Sequence, residues 1–200
     1  MDRPEAYPIT YGVLGLLAYW GPLSGYDLKQ LFDHVLSAMW SAAHSQIYNE
    51  LKRMKGLGWV EMEREEQESR PDRKVYSITS AGRAALESWQ GQPPAVLQLR
   101  DELLLKMMFG SFAPPDAVSE NVRASIALHE QRLLQYRQTT QHLPVRDQPR
   151  QASGRPNPYA SQEEEDIYFR LVSRFAINFE QTYLNWLYEA LEVLEEQKKE

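Results

Sequence analysis

The sequence predicts a mainly α-helical protein in two parts. The first is an N-terminal unit of helices closed by a small β-hairpin; the second is a helical C-terminal unit. Three observations carry this expectation. Apolar residues recur at helical spacing through the first fifty or so positions. The period then drops to two between Trp59 and Thr79, and the helical period afterwards resumes and holds to the end of the chain. Prolines and glycines break the second part in two places, at Gly91–Ala95 and at Pro144–Ala160. These breaks set the expected domains at 1–91 and 92–200, with a flexible loop at 144–160.

Each element has its own signal. "PITYGVLGLLAYW" (Pro8–Trp20) is apolar at most positions and reads as a short buried helix, with Pro8 near its start. "GPLSG" ends it. Ser24 stands three residues before Asp27, a helix-start pattern related to the capping box. Leu28, Leu31, Phe32 and Val35 then fall on one stripe of a helix over Tyr26–Leu36. In "WSAAHSQIYNELKRMKGLGW" (Trp40–Trp59), Ser41 is the expected N-cap and Ala43, Ile47, Leu51 and Met54 share one side. Gly56 and Gly58 stop this third helix.

"WVEMERE" (Trp59–Glu65) and "KVYSIT" (Lys74–Thr79) alternate as strands do. The polar segment between them carries Pro71-Asp72 as its turn signal, so the pair reads as a hairpin with a long tip. Thr79 or Ser80 caps a further helix running to Trp89. Beyond the break, "AVLQLRDELLLKMMFG" (Ala95–Gly110), Pro115–Leu143 and Ser161–Glu200 all read as helical. The last has an acidic start and Lys198-Lys199 at its end, which suit the helix dipole.

Helix–helix–helix–strand–strand–helix is the order of a winged helix-turn-helix. In that arrangement the third helix enters the major groove of DNA and the hairpin forms a wing. The face of the third helix opposite its apolar stripe holds Ser45, Asn49, Lys52 and Arg53, with Tyr48 and His44 at the boundary. Asn can bond an adenine edge, Lys and Arg can bond guanine or phosphate, and Ser can bond either kind of partner. Arg70, Arg73 and Lys74 on the hairpin are the expected wing contacts to phosphate or the minor groove. Such faces are also common as plain solvated surface, and a charged hairpin tip also serves solubility.

Composition narrows the alternatives. An apolar fraction of 42% is enough for a buried core. There are no cysteines, which excludes disulfides, thiolate metal sites and a cysteine nucleophile. No apolar run reaches the length of a membrane span, and the N-terminus lacks a signal-peptide pattern, so a cytoplasmic location is expected. The four histidines, His34, His44, His129 and His142, share no helical ligand spacing, so no metal or other cofactor is expected. A Gly-rich phosphate loop, a nucleophile elbow and a zinc-protease motif are all absent, so no enzyme is expected. The net charge is −6 and neither half is net basic, so DNA binding would depend on a local patch.

In this order, "YGVLGLL" (Tyr11–Leu17), "LSGYDLKQLF" (Leu23–Phe32), "HSQIYNELKRMKGLGWVE" (His44–Glu61) and "RPDRKVYSITSAGRAAL" (Arg70–Leu86) resemble the PadR family of transcriptional regulators. "ELLLKMMFG" and "FEQTYLNWLYEALEVL" resemble the helical C-terminal part of its longer members. The resemblance implies a homodimer, more often a repressor, bound to double-stranded operator DNA with two half-sites. It also implies that a small aromatic or drug-like effector could be bound near the dimer interface, although no ligand residues can be named. Phe169, Phe175, Phe179, Tyr183, Trp186 and Tyr188 on the last helix are read chiefly as dimer-core packing. The wing departs from a fully basic one, because Glu65, Glu66 and Glu68 stand beside its cations. The alternative reading is a winged-helix protein-interaction module that does not bind DNA.

Overall fold

The structure, a computed structural model, describes residues 8–36, 39–65, 73–114, 116–141 and 162–197. These fall into two compact units, which divide between Ala95 and Val96.

The first unit begins with α1 (Pro8–Trp20), whose Val13, Leu14, Leu16 and Leu17 are almost entirely buried. A two-residue strand, β1 (Leu23–Ser24), leads into α2 (Gly25–Leu31), which continues as a π-helical turn over Phe32–Leu36. The expected capping box is present. The Asp27 N–H donates to Ser24 Oγ at 3.2 Å, and Ser24 N donates to Asp27 Oδ2 at 3.0 Å. A cap of this kind is worth about 1 kcal/mol.

α3 (His44–Gly56) starts later than the sequence suggests. Ala43, not Ser41, is the N-cap, and the Gln46 side chain accepts from Ala43 N at 2.8 Å. Ala43 is accordingly exposed, and Ala42 takes the buried place at the head of the helix. Ile47, Leu51 and Met54 are wholly buried, at about 1.5–3 kcal/mol for each such side chain. Gly58, at φ 70°, supplies the left-handed turn that releases the chain into the sheet.

The hairpin strands β2 (Val60–Glu65) and β3 (Arg73–Ile78) pair antiparallel, with Met62 opposite Tyr76 and Arg64 opposite Lys74. The sheet has three strands rather than two, in the order β1-β3-β2, because Leu23 and Ser24 pair with Tyr76 and Val75. With partners on both edges, β3 buries both Val75 and Tyr76 instead of showing one wet face. The tip, including Arg70, lies outside the described residues. Thr79 caps α4 (Ser80–Gln90) through Gly82 N. Tyr11 of α1 stacks on Trp89 of α4, with ring centroids 4.6 Å apart.

The second unit consists of α5 (Glu102–Met108), α6 (Ala117–Gln141) and α7 (Gln162–Glu196). Ala95–Asp101, expected as helix, is not helical. Asp101 is the N-cap instead, accepting from Leu103 N at 2.7 Å. The expected loop at 144–160 lies outside the described residues. Arg123 pairs with Glu195 and Arg137 with Gln181, so α6 and α7 run antiparallel. Leu103, Val122, Ile126, Leu133, Leu184 and Leu187 form the core between the three helices. Among the described residues no helix is long and apolar enough to cross a membrane.

Candidate nucleic-acid interface

The buried stripe of α3 fixes which side chains can face outward. With Ile47, Leu51 and Met54 held against α1 and α2, Ser45, Tyr48, Asn49 and Lys52 are exposed together on the other side. α2 approaches this helix closely where Gly25 passes Tyr48. A methyl group at Gly25 would lie 2.5 Å from Tyr48 Cζ, so the missing side chain is what lets the ring rest there. His44 stacks on Tyr48, with ring centroids 4.7 Å apart. The Tyr48 ring thus contacts both Gly25 and His44 while 40% of the residue stays exposed.

Two arginines expected on this surface are placed differently. Arg53 turns inward. Its Nη2 and Nε donate to Glu50 Oε2 at 2.8 and 3.1 Å, and its Nη2 also reaches Thr10 Oγ1 at 2.7 Å. The reason is Glu50, which falls on the buried side of α3 and is only 9% exposed; a carboxylate there requires a cation. Arg73 likewise pairs with Asp27, the capping residue of α2. Burial pushes the Asp27 carboxyl up, but the Ser24 hydrogen bonds and the Arg73 guanidinium outweigh it and hold the group below the usual carboxylate range. Neither Glu50 nor Asp27 stood out in the sequence as a partner. The only signal was helical spacing, three residues from Glu50 to Arg53.

On the wing, Lys74 is exposed and Arg64, directly across the strand pair, is exposed beside it. Neither makes an ion pair among the described residues. Like charges placed opposite one another repel, so this pair is complementary to an anion rather than to its own sheet. Arg64 was missed in the sequence because it looked like one member of an alternating strand.

The second unit holds an open groove of about 520 Å3, lined by residues that include Arg100, Lys106, Arg132, Phe179 and Tyr183. His129 Nδ1 meets the buried Glu180 at 2.5 Å in its wall. Burial and a hydrogen bond to Asp101 push the Tyr183 hydroxyl far up, so it stays protonated and donates. Among the described residues no three His, Asp or Glu side chains gather closely enough to hold a metal ion.

Two family models divide the chain between them. Residues 13–88 match the transcriptional regulator PadR-like family, and residues 99–195 match the virulence activator alpha C-terminal family. The chain carries a PadR-like transcriptional-regulator domain over residues 13–88. It is 29% identical to the negative transcriptional regulator PadR of Bacillus subtilis over 188 residues, 94% of this chain and 97% of that one. The structure of Bacillus subtilis PadR in complex with operator DNA superposes with a TM-score of 0.74 at 29% identity, covering 96% of this chain and 99% of that one. The same protein in complex with p-coumaric acid gives 0.63 at 29% identity, over 95% and 98% of the two chains. The Vibrio cholerae virulence activator AphA gives 0.66 at 25% identity, over 94% and 99%. Regulators of this family are not enzymes, and the family pairing of a winged helix with a helical C-terminal domain matches both units seen here.

Proposed function

We propose that the protein is a cytoplasmic, dimeric repressor that binds operator DNA through α3 and the wing, and that a small aromatic effector releases it. The observation that carries this reading is the outward face of α3. Ser45, Asn49 and Lys52 are exposed on a helix whose opposite side is wholly buried, so their direction is set by the core rather than by chance. In this reading Asn49 and Ser45 meet base edges, Lys52 meets guanine or phosphate, and Tyr48 gives its hydroxyl to a phosphate. Lys74 and Arg64 set the wing on the backbone, and Arg70 lies outside the described residues. The operator complex of the Bacillus relative supports the DNA partner.

Two copies are needed because one winged module holds one half-site, and half-sites lie about 34–36 Å apart or at multiples of that. The last helix supports a dimer. Tyr168, Leu171, Val172, Phe175 and Phe179 lie along one side of α7, and each is at least 40% exposed. A lone soluble chain rarely leaves such a stripe in water. The p-coumaric acid complex of the relative, together with the groove beside Arg132, supports an aromatic effector. An effector favouring one dimer geometry would shift DNA affinity through a coupling of about 1–3 kcal/mol.

The test is selection of duplexes from a random DNA pool, followed by anisotropy titrations over a range of salt. Lys52→Ala and Arg64→Ala should each keep the fold. A side chain that neutralises a phosphate lowers the salt slope by about one when it is removed. If Lys52 meets guanine instead, about 1–3 kcal/mol is lost at a single base position. Recovery of no preferred sequence, with no binding to any duplex, would leave the protein-interaction module as the better reading.

A further inference from the structure

Behind the outward face of α3 lies a polar triangle that no DNA contact requires. Thr10 on α1 is fully buried, and its hydroxyl donates to Glu50 Oε2 at 2.7 Å. Arg53 donates to the same carboxylate oxygen twice and to Thr10 Oγ1 once. Glu50 and Arg53 are three residues apart on one helix, whereas Thr10 lies 40 residues away in sequence from Glu50. The Glu50–Arg53 pair alone would form at any setting of α3, and Thr10 turns it into a tie between two helices. No buried side-chain nitrogen or oxygen among the described residues lacks a partner, so the triangle is complete as it stands.

The rest of the α1–α3 contact is apolar: Val13, Leu14 and Leu17 share a core with Ile47, Leu51 and Met54. Apolar packing is non-directional and tolerates small rotations, whereas hydrogen bonds to a buried carboxylate do not. Rotation is what matters for recognition. Side chains stand about 5–6 Å from a helix axis, so turning α3 by roughly 20° moves a side-chain tip by about 2 Å. That is enough to break a bidentate bond from Asn49 to a base edge while leaving the helix packed.

We propose that Thr10, Glu50 and Arg53 are positioning residues that fix the rotation of α3, and that Arg53 itself touches neither phosphate nor base. This rests on the regulator reading above. Loss of the triangle should therefore cost specific binding and spare the electrostatic, sequence-independent part.

The experiment uses the full-length protein, the best duplex from the random-pool selection and a scrambled duplex of the same length and composition. Thr10→Val and Glu50→Gln remove no positive charge. Each should weaken binding to the selected duplex tenfold or more and leave the scrambled duplex within twofold. Arg53→Ala should do the same with the wild-type salt slope, in contrast to Lys52→Ala. Thr10→Ser keeps the hydroxyl and should restore the specificity ratio. Circular dichroism melts confirm that each variant is folded at the assay temperature. Should Glu50→Gln fail to fold, Thr10→Val and Thr10→Ser carry the comparison, since valine matches threonine in shape. Wild-type specificity in Thr10→Val overturns the proposal. So does an Arg53→Ala slope reduced by about one on both duplexes, because that marks a phosphate contact. A wild-type protein that binds no duplex defeats the regulator reading first and the positioning role with it.

Discussion

Asp27 shows how a single side chain can serve two elements. It completes the capping box of α2 and receives Arg73 from β3, so helix start and wing base share one carboxylate. Its folded-state pKa is depressed. A depressed carboxylate contributes stability that is present above its unfolded pKa and is lost as pH falls through the folded value. The stability difference between wild type and Asp27→Asn should therefore be constant above roughly pH 5 and shrink on further acidification. Urea midpoints measured for both proteins across this range check it. A difference that does not change with pH would mean that the ionised carboxylate contributes nothing. Both groups are about one-third exposed, so solvent screening keeps the effect small.

At the scale of the element, the contact between α2 and α3 depends on one absent side chain. The methyl of Gly25→Ala would displace the Tyr48 ring, whose far end is the atom it meets. That end can swing outward, so the cost to stability should be about 1 kcal/mol, typical of an off-rotamer side chain. Tyr48 would leave its stack on His44 and lose the place from which, in the proposed reading, its hydroxyl meets a phosphate. The expected outcome is a melting temperature lowered by a few degrees, with DNA affinity reduced severalfold on every sequence. Calorimetry and anisotropy on the same preparation check this. An unfolded variant would show that Gly25 serves the fold rather than the interface. Tyr48→Ala in the Gly25→Ala background should then restore folding, because the clashing ring is gone.

At the scale of the whole molecule, α7 presents two different faces. Leu184 and Leu187 pack into the second unit, while Leu171 and Phe175 are more than half exposed. The six aromatics read from the sequence as one set divide accordingly. Tyr183 and Trp186 join the core of the second unit, Phe169 is half-buried, and Phe175, Phe179 and Tyr188 are exposed. Replacing Leu171 and Phe175 together by glutamate should leave the helical content intact and convert a dimer to a monomer. Specific DNA affinity should fall by orders of magnitude, because a lone module holds one half-site only. Sedimentation velocity at micromolar concentration checks it. A variant that still sediments as a dimer would place the interface on another face.

Local periodicity made much of this legible. Every helix of the first unit was marked by its apolar spacing or its cap, and the hairpin by the change of period at Trp59. Those signals are written in neighbouring residues, so a sequence carries them directly. β1 was not legible because two residues carry no period, and it forms only when β3 offers its free edge to Leu23 and Ser24. Ser41 looked like a cap, but the Gln46 side chain reaches back to Ala43 N and the helix starts there. The candidate interface divides in the same way. Ser45, Asn49 and Lys52 could be placed outward because the stripe of Ile47, Leu51 and Met54 sets the direction opposite to it. The fates of Arg53 and Arg73 depended on Thr10, Glu50 and Asp27, brought near by packing across as many as 46 residues of chain. A charge on a helix face is visible in the sequence, but whether it faces solvent or a buried carboxylate is a property of what folds against it. The sequence by itself therefore determined the order of the helices and of the hairpin strands, and the outward face of α3. The tertiary structure alone decided which of its cations are drawn into ion pairs, because ion pairing is set by distance in space and not by distance along the chain.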